Sequence, residues 1–330
     1  MTKRKITNKI QRLISLALVV VMMLPFAGCG TATEDVNVDN SGYNAGAGAS
    51  ADNPYTFIDD YGRTVTVTSY KRTATLIGSF ADVWMSAGGS VVATANDTWT
   101  NFDLGLSSDV VNIGSILNPN VELLIASRPD FVIASCNTDS NIALMQTLEN
   151  AGITVAYFDV SNFEQYLNML DKCTMITGRR DLYKTNGTDV KEHTIKSRAD
   201  GSNPKILFIR TSSSSVKAKQ SEGSVGGEIL KDLGCVNIAD SDTSLLDDLS
   251  LEAIVVADPD YIFVTTQGND TDAAIRNIDK LLTSNPAWSS LTAVKQGRYY
   301  VLDKKLYNLK PNAKWGEAYK QLADILYIDR

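Results

Sequence analysis

Residues 120–133 and 250–263 carry one pattern twice: NVELLIASRPDFVI and SLEAIVVADPDYIF. They align without a gap at an offset of 130, with Glu122 on Glu252, Pro129 on Pro259, Asp130 on Asp260 and the apolar positions matched. Shortly upstream, Val111-Asn112-Ile113-Gly114 answers Val236-Asn237-Ile238-Ala239 at an offset of 125. Each copy reads as a helix, a Pro-Asp turn and a strand. An αβ corner recurring at similar places in two halves predicts two lobes of like topology.

The flanking pattern fits two such lobes. Residues 55–68 alternate apolar and polar around Asp60-Tyr61-Gly62, a β-hairpin signal. Short apolar runs at Thr73–Gly78, Val91–Thr94, Val110–Ile113, Phe131–Ala134 and Ile153–Phe158 read as buried strands, separated by helical stretches at Phe80–Ala87, Val121–Ala126 and Asn141–Asn150. The second half gives strands at Lys205–Ile209, Tyr261–Val264 and Tyr299–Leu302. Its helices are expected at Gly227–Leu233, Leu251–Val256, Thr271–Leu282 and Ala313–Ile325. Short strands alternating with helices predict mostly parallel sheets covered on both faces, an α/β fold of two Rossmann-like lobes. Between the halves, Phe163, Tyr166, Leu167, Leu170, Cys173, Met175, Ile176 and Leu182 form a helical stripe that weakens at Asn186-Gly187. The expected organisation is an N-terminal lobe over 55–160, a connecting helix over 161–202 acting as a stiff strut, and a C-terminal lobe over 203–330.

Charge and composition narrow the function. Five cations and no acid lie in residues 1–28, and without them 26 basic residues face 38 acidic ones, a balance of −12. So acidic a body is a poor polyanion binder, which excludes nucleic acid as partner. The chain's one histidine, His193, falls on the expected connector and leaves no His-rich metal site and no placed base for a Ser or Cys nucleophile. No Gly-x-Ser-x-Gly elbow and no HExxH is present.

The basic start precedes an apolar run from Leu13 to Phe26, too short to span a bilayer and typical of a secretory signal. Ala27-Gly28-Cys29 at its end resembles a bacterial lipobox, which implies a signal peptide over 1–28 and a lipid on Cys29. Residues 29–54 hold almost no large apolar side chain and are expected to be a flexible tether. The body is thus expected outside the cytoplasm, lipid-anchored to the cell membrane. Cys136, Cys173 and Cys235 are odd in number and scattered, which is no disulfide framework; Cys136 and Cys235 are expected as buried thiols.

The stretches TFIDDYGRTVTV, RTATLIGSFADVWMSAGG, NVELLIASRPDFVIAS, GGEILKDLGCVNIAD, LSLEAIVVADPDYIFV and NPAWSSLTAVKQGRYYVLD occur in this order across nearly all of 55–328. Together with lipobox, tether and echoing lobes, they resemble the substrate-binding lipoproteins of ABC importers that serve iron–siderophore complexes, haem and cobalamin. The resemblance implies two α/β lobes bridged by one long helix, a ligand cleft between them, no catalysis and no resident cofactor. It also implies that one glutamate per lobe docks with basic residues of the membrane permease. The matching positions are Glu122 and Glu252, each in the first turn of its helix, where the dipole favours a carboxylate.

In such a fold, ligand contacts come from loops at the carboxyl ends of strands. That rule nominates Ser79, Phe80 and Trp84 after the first strand, and Trp99 and Asn101 in a polar, aromatic loop. It adds Asn137, Thr266 and Gln267 after the two Pro-Asp strands, with Ser135 and Thr265 beside them. Arg210, Thr211 and Ser212 close the Lys205–Ile209 strand, and Tyr307 and Trp315 flank a late loop. Arg210 could present its planar fork to a carboxylate or an anionic chelate. The shortage of histidine favours a preformed metal chelate or corrinoid held through its organic part by a monomeric protein. The alternatives are an extracytoplasmic lipoprotein hydrolase, or a surface binding module that keeps the fold without transport.

Overall fold

The computed structural model describes residues 44–190, 201–241, 244–247 and 249–327. Cys29, His193 and the signal segment lie outside them.

The hairpin forms where alternation places it: β1 (Tyr55–Ile58) pairs antiparallel with β2 (Thr64–Val67), apolar residues inward. Asp59 closes the turn by accepting from the backbone N–H groups of Tyr61 and Arg63. The N-terminal lobe is a five-stranded, all-parallel sheet. It contains β3 (Thr73–Thr75), β4 (Val91–Thr94), β5 (Val111–Asn112), β8 (Phe131–Ser135) and β9 (Thr154–Phe158), in the order β5-β4-β3-β8-β9. A small hairpin, β6 (Gly114–Ser115) with β7 (Asn118–Pro119), leads into the Val121–Ala126 helix. In the C-terminal lobe β10 (Lys205–Thr211), β13 (Tyr261–Thr266) and β14 (Tyr299–Val301) run parallel. Strand β11 (Val216–Ala218) lies antiparallel on the β10 edge, and β12 (Val236–Asn237) pairs with the start of β10.

The internal echo extends to individual hydrogen bonds. Asn120 and Ser250 cap the two equivalent helices, accepting from Leu123 N at 3.0 Å and from Ala253 N at 3.3 Å. Arg128 and Asp258, again 130 apart, both turn left-handed after the helix, at φ 50° and 42°. Asp130 and Asp260 then each accept from the backbone N–H that precedes or opens the lobe's first strand, that of Arg72 at 3.0 Å and of Lys205 at 2.8 Å. The cationic side chains of these partners reach back to the ends of the helices, Arg72 to Ser127 O and Lys205 to Ala257 O. A cation on the last carbonyls satisfies groups that a short helix leaves open.

Three buried apolar clusters hold the molecule. One serves the outer face of the N-terminal lobe, around Leu124, Val132 and Tyr157, and one serves the outer face of the C-terminal lobe, around Leu207, Ile262 and Trp288. The third is continuous through both lobes, from Phe80 and Phe131 through Phe163 and Tyr166 to Phe208, Phe263 and Trp315. It includes the tilted contact of Phe163 with Trp315, ring centroids 5.9 Å apart, continued to Tyr319. A core shared in this way resists separation of the lobes, since opening them would expose aromatic surface worth about 2–3 kcal/mol per side chain.

The segment between the lobes departs from expectation. A helix runs over Phe163–Thr177, started by a capping box of Asn162 with Gln165. It stops at Gly178, which is left-handed at φ 76° and whose missing Cβ would lie 2.6 Å from Gly48 N. A second helical piece, Arg180–Tyr183, continues as a π-turn over Lys184–Thr188. Up to Val190, therefore, the expected single helix over 161–202 is two segments, and residues 191–200 lie outside the described chain. The stripe of apolar residues continues across Gly178, which is why periodicity alone reads through the break.

The expected tether also ends earlier than residue 54. Asn44–Asn53 is packed chain: Asn53 bonds back to Asn44 O and Gly48 O, and Ala49 N donates to Ile176 O at 2.7 Å. Small residues here serve close approach to the helix end rather than flexibility. Two further helices are interrupted. The Asn141–Asn150 stretch splits into Asp139–Ile142 and Met145–Asn150, where the Asn141 side chain is drawn to Ser135 N. The Thr271–Leu282 stretch becomes a helix to Ile278 and a π-turn. Cys235 is buried as expected, whereas Cys136 is only partly covered.

Candidate functional site

The strand order of the N-terminal sheet reverses between β3 and β8, and that of the C-terminal sheet between β10 and β13. Parallel sheets bind ligands outside the carboxyl ends of strands at such points. Both ends face one cavity of about 550 Å³. From the N-terminal lobe come Ile77 after β3, Ser135, Asn137 and Thr138 after β8, and Asp159 to Ser161 after β9. The C-terminal lobe supplies Phe208, Arg210 and Thr265 from adjacent strands, Lys219 after β11, Ser224 at a helix start, Tyr307 at the end of the short helix Lys304–Tyr307, and Asn308 and Lys310 from the loop after it.

The two walls differ in charge. On the first, Asp159 is fully engaged: its carboxylate accepts from Asn137 Nδ2, from Ser161 Oγ at 3.1 Å and from Gln165 Nε2 at 3.1 Å. On the second stand three cations, Arg210, Lys219 and Lys310. None makes a side-chain hydrogen bond or ion pair with the described residues. Arg210 lies level with Thr265 on the neighbouring strand, and Lys219 follows where its N–H bonds Phe208 O at 2.8 Å. Lys310 reaches over the Phe80 ring at 5.8 Å. Burial pushes all three cations below their ordinary values; Lys219 is lowered further by Arg210 and Lys217, while the Asp159 and Asp97 carboxylates partly oppose the shift of Lys310. Thr265 Oγ1 is 1% exposed as a residue and has no hydrogen-bond partner. A buried hydroxyl and three cations without a hydrogen-bonded partner around one cavity are costly unless something polar and anionic comes to meet them.

Of the ligand contacts nominated from sequence, Asn137, Arg210 and Tyr307 line this cavity. Ser79, Phe80, Trp84, Thr211, Thr266 and Trp315 are buried in packing instead. Trp84 donates to Ser90 O and stacks edge-on with Tyr70 and Phe131, and Thr211 Oγ1 donates to Ala274 O. Being at or just past a strand end does not decide whether a side chain points into the cleft or back into the sheet. Trp99, 42% exposed, and Asn101, Ser212 and Gln267 lie at the surface away from the cavity lining. Lys219, Lys310 and Asp159 were not nominated. Asp159 directly follows β9 and the strand-end rule would have found it; Lys310 sits in a loop with no pattern of its own.

Among the described residues no three His, Cys, Asp or Glu side chains gather as a metal-ion site. Tyr307, the lining phenol, already donates to Ala318 O at 3.0 Å. Glu122 and Glu252 are both exposed, each at the second position of its equivalent helix.

Residues 74–306 match the periplasmic binding protein family, and the chain belongs to that family. It is a substrate-binding protein of the ABC-importer class, a binding protein rather than an enzyme. Among curated relatives, the Fe(3+)-citrate-binding protein YfmC of Bacillus subtilis (strain 168) is 25% identical over 310 residues, 91% of each chain. Among solved structures, Staphylococcus aureus SirA complexed with staphyloferrin B superposes with a TM-score of 0.61 at 22% identity, covering 83% of this chain and 97% of that one. S. aureus IsdE complexed with heme gives 0.65 at 16% identity, covering 78% and 100%.

Proposed function

We propose that the protein captures an anionic ferric chelate of the carboxylate type between its lobes and presents it to a membrane permease. The observation that carries this reading is the set of Arg210, Lys219 and Lys310 around one cavity, none with a hydrogen-bonded partner among the described residues, in a chain of net charge −7. Guanidinium and ammonium groups recognise carboxylates through charge-assisted hydrogen bonds. The other wall supports the choice, since Ser135, Asn137, Thr138 and Ser161 offer hydrogen bonds rather than aromatic faces. A flat macrocycle such as haem would want a stacking surface and an axial donor. The lining aromatics Phe208 and Tyr307 are buried, and Tyr307 is committed elsewhere, which weighs against haem and a corrinoid. The relative that binds Fe(3+)-citrate and the neighbour complexed with staphyloferrin B agree with this ligand class.

Delivery rests on Glu122 and Glu252 as paired docking acids for cations of the permease. Lipidation at Cys29 would hold a monomeric body at the outer face of the membrane, and Cys29→Ala would release it into the medium. Calorimetric titration of the soluble body with ferric citrate, a neutral ferric hydroxamate, haem and cobalamin tests the ligand class. Saturable binding of ferric citrate is expected. Binding of haem or cobalamin without ferric citrate would overturn the reading.

A further inference from the structure

The two equivalent surface helices share an acid but not a surface. A helix lying on a soluble domain normally turns polar residues outward. In Val121–Ala126 only Leu124 is fully buried. At about 100° per residue this sets Leu123 and Ile125 on opposite flanks and Glu122 with Ala126 on the outer crest. Leu123 is 44% and Ile125 38% exposed, so the acid is bracketed by bare apolar side chains. The hairpin leading into this helix adds Leu117 at its tip, 81% exposed. In the C-terminal lobe the matching flank positions are Ala253 and Val255, which pack against the lobe's own core. The described residues of the approach to that helix form short helical turns. Among the described residues of the helix itself, Val256, four residues after Glu252, is the large apolar side chain that stands clear.

Resting on the permease-docking reading above, we infer that Leu117, Leu123 and Ile125 form an apolar docking surface around Glu122 that makes the N-terminal lobe the main attachment to the permease. The two lobes thereby bind unequally. The occupant follows from the chemistry of the crest: an acid flanked by apolar groups fits a groove with a cation at its floor and apolar walls. The cation steers encounter, and burial of the flanks holds the complex. The matching acid on the equivalent helix argues for one partner that meets both lobes at once, as a permease spanning the pair does.

The test measures affinity of the ferric citrate-loaded protein for its permease in lipid nanodiscs, beside calorimetric ferric citrate binding and thermal melting of the protein alone. The triple variant Leu117→Ser, Leu123→Ser, Ile125→Ser is expected to weaken permease binding on the order of ten-fold or more, with melting and ferric citrate affinity unchanged. Val256→Ser is expected to cost a few-fold at most. Should the triple variant melt early, Leu117→Lys on the hairpin tip must weaken permease binding by itself. Wild-type permease affinity in the triple variant, with Glu122→Gln and Glu252→Gln impaired, overturns the inference and leaves the docking reading standing. If the glutamate variants also bind as wild type, both fall. Equal losses from the triple variant and Val256→Ser would overturn the inequality of the lobes.

Discussion

The two walls of the cleft come from the same kind of βα corner, yet one neutralises its charge and the other does not. Asp159 on the N-terminal wall is held by three side chains and helps fix the start of the Phe163–Thr177 helix through Gln165. Arg210, Lys219 and Lys310 on the C-terminal wall have no such partners. Charges satisfied from within serve the fold, and the charges left open are the ones the proposed ligand would meet. The shared core runs behind both walls and gives the cleft a rigid backing.

Removing the open charges should have the largest effect. Arg210→Met combined with Lys310→Met is expected to lower ferric citrate affinity on the order of a hundred-fold to a thousand-fold by calorimetry. A loss under three-fold would mean that the C-terminal wall does not read the ligand. Asp159→Ala should do the reverse, lowering stability by about 1–3 kcal/mol in denaturant titration as its three donors lose their acceptor. Its effect on ferric citrate affinity should stay well below that of the double variant, and equal losses would erase the distinction between the walls.

Lys310→Met alone should raise stability by about 0.5–2 kcal/mol while weakening ligand binding. The sign follows from burial, which lowers this ammonium in the folded state. Below the folded value the cation is a cost. Wild-type stability should therefore rise with pH between that depressed value and the ordinary 10.5, and the rise should be smaller in the variant. A destabilised Lys310→Met protein would place the residue in the fold's own support. The smallest effect is the pH dependence of binding. Lys219 and Lys310 are both lowered by burial, so ferric citrate affinity should begin to fall below the usual lysine range as they lose their protons. A profile flat to the ordinary lysine range would show that neither ammonium meets the ligand.

Much of the fold was legible because its causes are local. The Pro-Asp corner recurs with its caps, its left-handed residue and its backbone bonds, all set within a few positions of Pro129 and Pro259. The breaks were not legible where a distant partner makes them. Gly178 ends its helix against Gly48, and the side chain of Asn141, in the short Asp139–Ile142 helix, is tied to Ser135 N. In the site, the strand-end rule reached Arg210 and Asn137. It failed for Trp84 and Trp315, whose rings fill the space behind the sheets.

The sequence by itself determined two like α/β lobes and an acidic body behind a basic N-terminal stretch, through periodicity, turn residues and composition, which act over short stretches of chain. The class of binding protein came from the resemblance carried by its ordered motifs. Which strand-end side chains turn toward the cleft was decided only in three dimensions. So was the meeting of Arg210, Lys219 and Lys310 around one cavity. Those choices depend on what the rest of the chain packs behind each strand, and no window of sequence contains that neighbour.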